Sequence, residues 1–131
     1  MKRERRILGV TGNDKLIVGV LYRGSLWFEG IDVKYLRRSP IKVECVVRSK
    51  YLEQAGVILL DEEVFRLIEC KVKELHASIR KPIVIVRGED VLNIYGIDER
   101  IRIQKNVPEA LRIARKIFYE VLHIMEQLGE R

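Results

Sequence analysis

The chain is poor in the residues that mark specialised small proteins. Of its 131 residues only two are cysteine, two histidine, three proline and one tryptophan. Cys45 and Cys70 have no CxxC spacing and no histidine beside them, which argues against zinc. Both fall in apolar-periodic segments, so buried free thiols are expected, with a disulfide as the lesser alternative. His76 and His123 each lie on an expected helix, without a Ser, Cys or Asp at triad spacing. Gly88 and Gly96 are isolated, so no phosphate loop is present. No apolar run nears the roughly 20 residues needed to cross a bilayer. The basic start, Met1 to Arg6, leads into Ile7-Leu8-Gly9-Val10, an apolar run too short for a signal peptide. A cytoplasmic protein is expected. Repeats, linkers and low-complexity stretches are absent from the sequence.

What remains is a core-forming composition. Hydrophobic residues are 47% and charged residues 34%, with a mean hydropathy of -0.06. Those values exclude a disordered tail and a collagen-like repeat. The length suits one domain over residues 1–131, large enough to bury a core without staples. Amides are scarce while Glu, Lys, Arg, Ile and Val abound, a composition like that of thermophile proteins. Lys and Arg number 25 against 19 acidic residues, a net charge of +6. That excess permits a polyanion partner without requiring one.

Periodicity orders the elements. Arg5–Thr11, Lys15–Tyr22 and Leu26–Val33 read as strands, separated by the turns Gly12-Asn13-Asp14 and Arg23-Gly24-Ser25. Trp27 and Phe28 are expected in the core, with one of them at a partner surface as the alternative. Ser39-Pro40 resembles a helix start, followed by Val43, Val46, Val47, Lys50 and Tyr51 at helical spacing. A strand over 41–47 fits those β-branched residues as well. Val57–Leu60 and Pro82–Val86 are short apolar runs of the doubly buried kind. Asp61-Glu62-Glu63 opens one long helix with Val64, Leu67, Ile68, Leu75 and Ile79 on a stripe. Its acidic first turn suits the helix dipole. Val91–Tyr95 and Ile101–Gln104 are short segments of open type. Pro108 opens a last helix striped with Leu111, Ala114, Ile117, Phe118, Val121, Leu122, Met125 and Leu128. A meander followed by alternating helices and strands gives a mixed α/β sheet flanked by helices, the ribonuclease H-like arrangement.

Two stretches carry a family resemblance. Ile7–Val10, Ile17–Gly24 and Phe28–Ile31 resemble the opening of the archaeal endonuclease dU family, a relative of endonuclease V. Val107-Pro108-Glu109-Ala110-Leu111-Arg112-Ile113-Ala114 is similar to that superfamily's Pro-Glu-Pro-x-Arg-x-Ala start to the final helix. The resemblance spans most of the chain, with a shortened middle. It implies a ribonuclease H-like fold. In active members it also implies cleavage of deaminated strands by carboxylates that hold Mg²⁺ or Mn²⁺.

Position by position, the implied ligand set thins out. The family's first-strand carboxylate falls at Thr11. Asp14 is near, but it sits in the turn, where a turn former is the plainer role. The carboxylate ending the fourth strand falls at Asp61, the candidate catalytic and metal-binding residue, for which a helix N-cap is the plainer role. Glu44 is the nearest match for the acidic residue of the first helix, where a solvated face is the alternative. Arg115 stands where relatives carry a His or an Asp. The metal candidates are therefore Asp61, Asp14 and Glu44.

Basic residues form two groups. Lys34, Arg37, Arg38, Lys42, Arg48 and Lys50 surround the third-strand exit, and Arg112, Arg115 and Lys116 share one turn of the last helix. Arg37, Arg38, Lys42, Arg112, Arg115 and Lys116 are the candidates for tracking a DNA or RNA backbone, with Tyr35 or Tyr51 stacking on bases. A solvated, salt-bridged surface explains the same residues. The expectation is a divergent nucleic-acid-binding member with cleavage lost or weakened. An active Mg²⁺-dependent endonuclease and a non-catalytic interaction subunit are the rivals.

Overall fold

The computed structural model describes residues 6–23, 27–36, 51–68, 71–96 and 109–129. Its strands are β1 (Arg6–Gly12), β2 (Leu16–Arg23), β3 (Trp27–Tyr35), β4 (Val57–Asp61), β5 (Ile83–Arg87) and β6 (Asp90–Tyr95). Its helices are α1 (Glu62–Ile68), α2 (Val72–Ile79) and α3 (Glu109–Gly129). The segments expected at 39–50 and 101–104 lie outside the described residues, as do both cysteines.

The six described strands join one sheet in the order β3-β2-β1-β4-β5-β6. β1, β2 and β3 are antiparallel neighbours, β4 and β5 run parallel to β1, and β6 returns antiparallel to β5. A three-strand meander continued by parallel strands, with helices on both faces, is the ribonuclease H-like arrangement. β6 adds a further edge strand. Gly88, at φ 60°, makes the tight turn that returns the chain from β5.

Strand alternation divides the core between the two faces. Leu8, Val10, Ile58 and Leu60 point to α1 and α2 and pack with Val64, Ile68, Leu75 and Ile79. Val18, Val20 and Tyr22 point the other way, onto Ala110, Ala114 and Phe118 of α3. β4 is buried along its whole length because helices cover both of its faces. Gly9 sets how closely α3 approaches. A Cβ built there would stand 2.6 Å from the backbone of Ala110 and Leu111. Leu111 is completely buried, and a side chain of that size contributes about 1.5–3 kcal/mol when taken from water.

Two expectations change. The single long helix after Asp61 is two helices. Val64, Ile68, Leu75 and Ile79 all face the same core, so periodicity alone masks the break. Lys71 is extended, at φ -78° and ψ 150°, and α2 begins beyond it. Arg80 ends α2 in the left-handed conformation, its N–H donating to the His76 carbonyl at 2.7 Å. The next residue anchors that exit, since Lys81 Nζ donates to the carbonyls of Glu53 (2.7 Å) and Ala55 (2.6 Å). The second change concerns Trp27 and Phe28, which are 58% and 49% exposed rather than core. Among the described residues β3 is the outermost strand, and α3 packs chiefly over β1 and β2.

Gly9→Ala tests the close approach. Overpacking against rigid backbone costs about 1–3 kcal/mol or more, read as a lower denaturant midpoint with an unchanged slope. A midpoint equal to the parent's contradicts the packing.

Candidate functional site

In open α/β sheets, ligand sites form beyond the carboxyl ends of parallel strands. Here those ends are Thr11 on β1 and Asp61 on β4. They stand one register step past the paired residues Val10 and Leu60, so the two side chains are neighbours on the α3 face. Both are buried. With Glu62, Glu63, Arg66, Val86, Arg87, Gly88, Arg115, Phe118 and Tyr119 they line a cleft of about 430 Å³.

Arg115 dominates this cleft. It lies one helical turn past Leu111, so the depth set at Gly9 brings its guanidinium to the end of β4. Its Nε donates to Asp61 Oδ2 at 2.9 Å and its Nη2 to Oδ1 at 2.5 Å. The fork engages both carboxylate oxygens, the strong bidentate form of the pair. The Asp61 and Arg115 side chains keep only 12% and 24% of their exposure. Hydrogen bonding to Asp61 pushes the guanidinium above its ordinary value, against the opposing effect of its own burial.

A second charge group forms the rim. Glu62 takes a fork from Arg87, at 3.0 and 2.7 Å, and a contact from Arg66 at 2.7 Å. One carboxylate thus serves two exposed guanidinium groups. The Arg87 hydrogen bonds hold Glu62 below the usual carboxylate range.

Thr11, Asp61 and Arg115 converge in the cleft. Arg112 and Lys116 are exposed on the outer side of α3, where Arg112 forks onto Glu109 at 2.8 and 2.6 Å. Asp14 is exposed in the β1–β2 turn and lines a neighbouring shallow cavity with Glu63 and Arg66, not the Asp61 cleft. The Asp61 carboxylate is bound by Arg115 rather than left as a simple N-cap. Arg37, Arg38, Lys42 and Glu44 lie outside the described residues. The rim pair of Arg66 and Arg87 was not anticipated, because their meeting on Glu62 depends on β5 lying beside β4.

The donor set does not fit Mg²⁺ or Mn²⁺. Such ions need hard oxygen donors with charge to spare. Asp61 has both oxygens committed to a cation, Thr11 offers a hydroxyl, Glu62 is shared by two arginines, and Glu63 is an exposed rim carboxylate beside Arg66. Among the described residues no three His, Cys, Asp or Glu side chains come together as a ligand group. No helix among them is long and apolar enough to cross a membrane.

No protein-family model and no curated protein matches the chain. Among solved structures, T. thermophilus RuvC in complex with Holliday junction substrate is similar at 9% identity, with a TM-score of 0.41. The alignment covers 90% of this chain and 96% of that one. The fold assignment rests on the strand order and polarity of the sheet.

Two outcomes test the charge arrangement. Asp61→Asn and Arg115→Gln should each cost about 2–4 kcal/mol, since each strands a partly buried charge. The double variant should cost clearly less than the two summed, and simple additivity in denaturant melts contradicts the pair. The second outcome is an acid limb. The folded-state pKa of Glu62 is depressed below the ordinary 4.5. Its contribution is therefore full above that value and lost as pH falls through the lower one. Arg87→Gln should flatten that limb in melts run from about neutral to about pH 3, and an unchanged limb contradicts the assignment.

Proposed function

We propose that this chain is a divergent relative of the endonuclease dU family that binds nucleic acid and has lost metal-dependent cleavage. One observation carries the loss of cleavage: the Arg115 fork on both oxygens of Asp61, beside Thr11. A guanidinium supplies there the positive charge that a metal would bring, but it delivers no activated water and has no open coordination position. The cleft can bind charge and cannot generate a hydroxide.

Net charge and its distribution support the binding half. The chain carries +6 overall. Arg66 and Arg87 hold exposed guanidinium groups at the rim, where they share Glu62 and can turn toward a phosphate. Lys116 is exposed on α3. The Arg112–Glu109 pair is exposed, and such pairs exchange partners at little cost. In sequence, Arg37, Arg38 and Lys42 add to the excess.

Fluorescence anisotropy with labelled single- and double-stranded DNA and RNA tests the reading. Affinity should fall as a power of salt concentration, because bound counterions are released when phosphates are neutralised. Arg87→Gln should weaken binding and reduce that slope. Strands containing deoxyuridine or inosine should survive incubation with Mg²⁺ or Mn²⁺. Nicking that Asp61→Ala abolishes would restore the nuclease reading. Absent or salt-independent binding would favour an interaction subunit.

A further inference from the structure

We infer that the outer edge of β3 is a stacking strip for single-stranded nucleic acid. This deepens the binding reading above and rests on it. Among the described residues β3 ends the sheet, and four large apolar side chains stand out from it: Trp27 (58% exposed), Phe28 (49%), Ile31 (40%) and Tyr35 (62%).

Register places them. Phe28, Ile31 and Tyr35 lie opposite Tyr22, Val20 and Leu16, three residues of the core beneath α3. They therefore share the α3 face but extend beyond the helix. Phe28 is propped by an edge-to-face contact with Tyr22, with ring centroids 5.8 Å apart. Trp27 lies opposite Arg23 and projects from the other face at the strand end. An irregularity in the β2–β3 pairing leaves Glu29 as an extra residue between Phe28 and Gly30, and its carboxylate turns to Arg6 and Arg23.

Charge favours a polyanion over an apolar partner. At the Trp27 end, Arg6 and Arg23 are cross-strand neighbours. Their guanidinium groups lie 3.0 and 3.8 Å from the one carboxylate of Glu29. Two exposed cations on one anion leave a positive charge on the Trp27 face of the strand end. At the Tyr35 end, the exposed Lys15 sits in the turn whose carbonyl accepts the Leu36 N–H at 2.8 Å, with Asp14 next to it. Asp32 is opposite Gly19 on the other face, so the ring-bearing face carries no carboxylate between Phe28 and Tyr35. Rings along an edge with cations at its ends fit the stacking-and-phosphate chemistry of unpaired bases. A duplex hides its base faces and offers these rings nothing.

Trp27 is the only tryptophan in the chain, and it reports directly on the strip. Titration with unlabelled oligothymidylate of about 12 nucleotides should quench its emission, while a duplex of equal length should not. Tyr35→Ala should weaken single-strand binding roughly 5- to 150-fold, as loss of one stacked base does. Tyr35→Phe should restore it. The salt slope should stay unchanged in Tyr35→Ala and fall in Arg23→Gln. Anisotropy that reports binding without Trp27 quenching, and without an effect of Tyr35→Ala, overturns the strip and leaves the binding reading standing. No binding to any nucleic acid removes both. A dimer by light scattering that Tyr35→Ala dissociates assigns the edge to a second copy and overturns the inference.

Discussion

The depth at which α3 meets β1 governs the rest of this molecule. Gly9 has no side chain, so the backbone of Ala110 and Leu111 comes to rest where a methyl group would stand. One turn later Arg115 meets Asp61, and the next turn places Phe118 over the same face. A helix held farther out would bury less of Leu111 and leave the Asp61 carboxylate without its partner. Packing and electrostatics at the strand ends are thus set by one absent Cβ.

The chemistry of the cleft follows from the sign of one side chain. A carboxylate or imidazole at position 115 would face Asp61 as a second ligand. An arginine there satisfies Asp61 fully. The pair is partly buried and bidentate, so separating it exposes two unmet charges rather than making one available. With Thr11 contributing only a hydroxyl, the strand ends form a crevice with the electrostatics of a closed ion pair. The exposed guanidinium groups lie outside that pair, at Arg66 and Arg87 on the rim and at Arg6 and Arg23 beside β3.

Much of the fold was readable from the sequence. β1, β2, β4 and β5 coincide with uninterrupted apolar runs bounded by turn residues, and α3 with a stripe at helical spacing. The break before Val72 was not readable, because Val64, Ile68, Leu75 and Ile79 keep one phase across it. Nor was the exposure of Trp27 and Phe28, because an edge strand looks like any other until its neighbours are counted. At the site, Thr11 and Asp61 stand out only through the family resemblance, and Arg115 only as a departure from it. Its partnership with Asp61 requires the register of β1 on β4 and the depth of α3, which no local pattern encodes. Arg66 and Arg87 were missed for the same reason: their shared carboxylate is assembled by tertiary contact.

The commitment of Asp61 to Arg115 is most directly tested by nuclear magnetic resonance during a Mn²⁺ titration. A bound paramagnetic ion erases the signals of nearby amides. If Arg115 holds both oxygens of Asp61, the Thr11, Asp61 and Arg115 amides keep their intensity into the millimolar range. Selective loss of those three signals at micromolar Mn²⁺ would show a working metal site at the strand ends and contradict the ion-pair assignment.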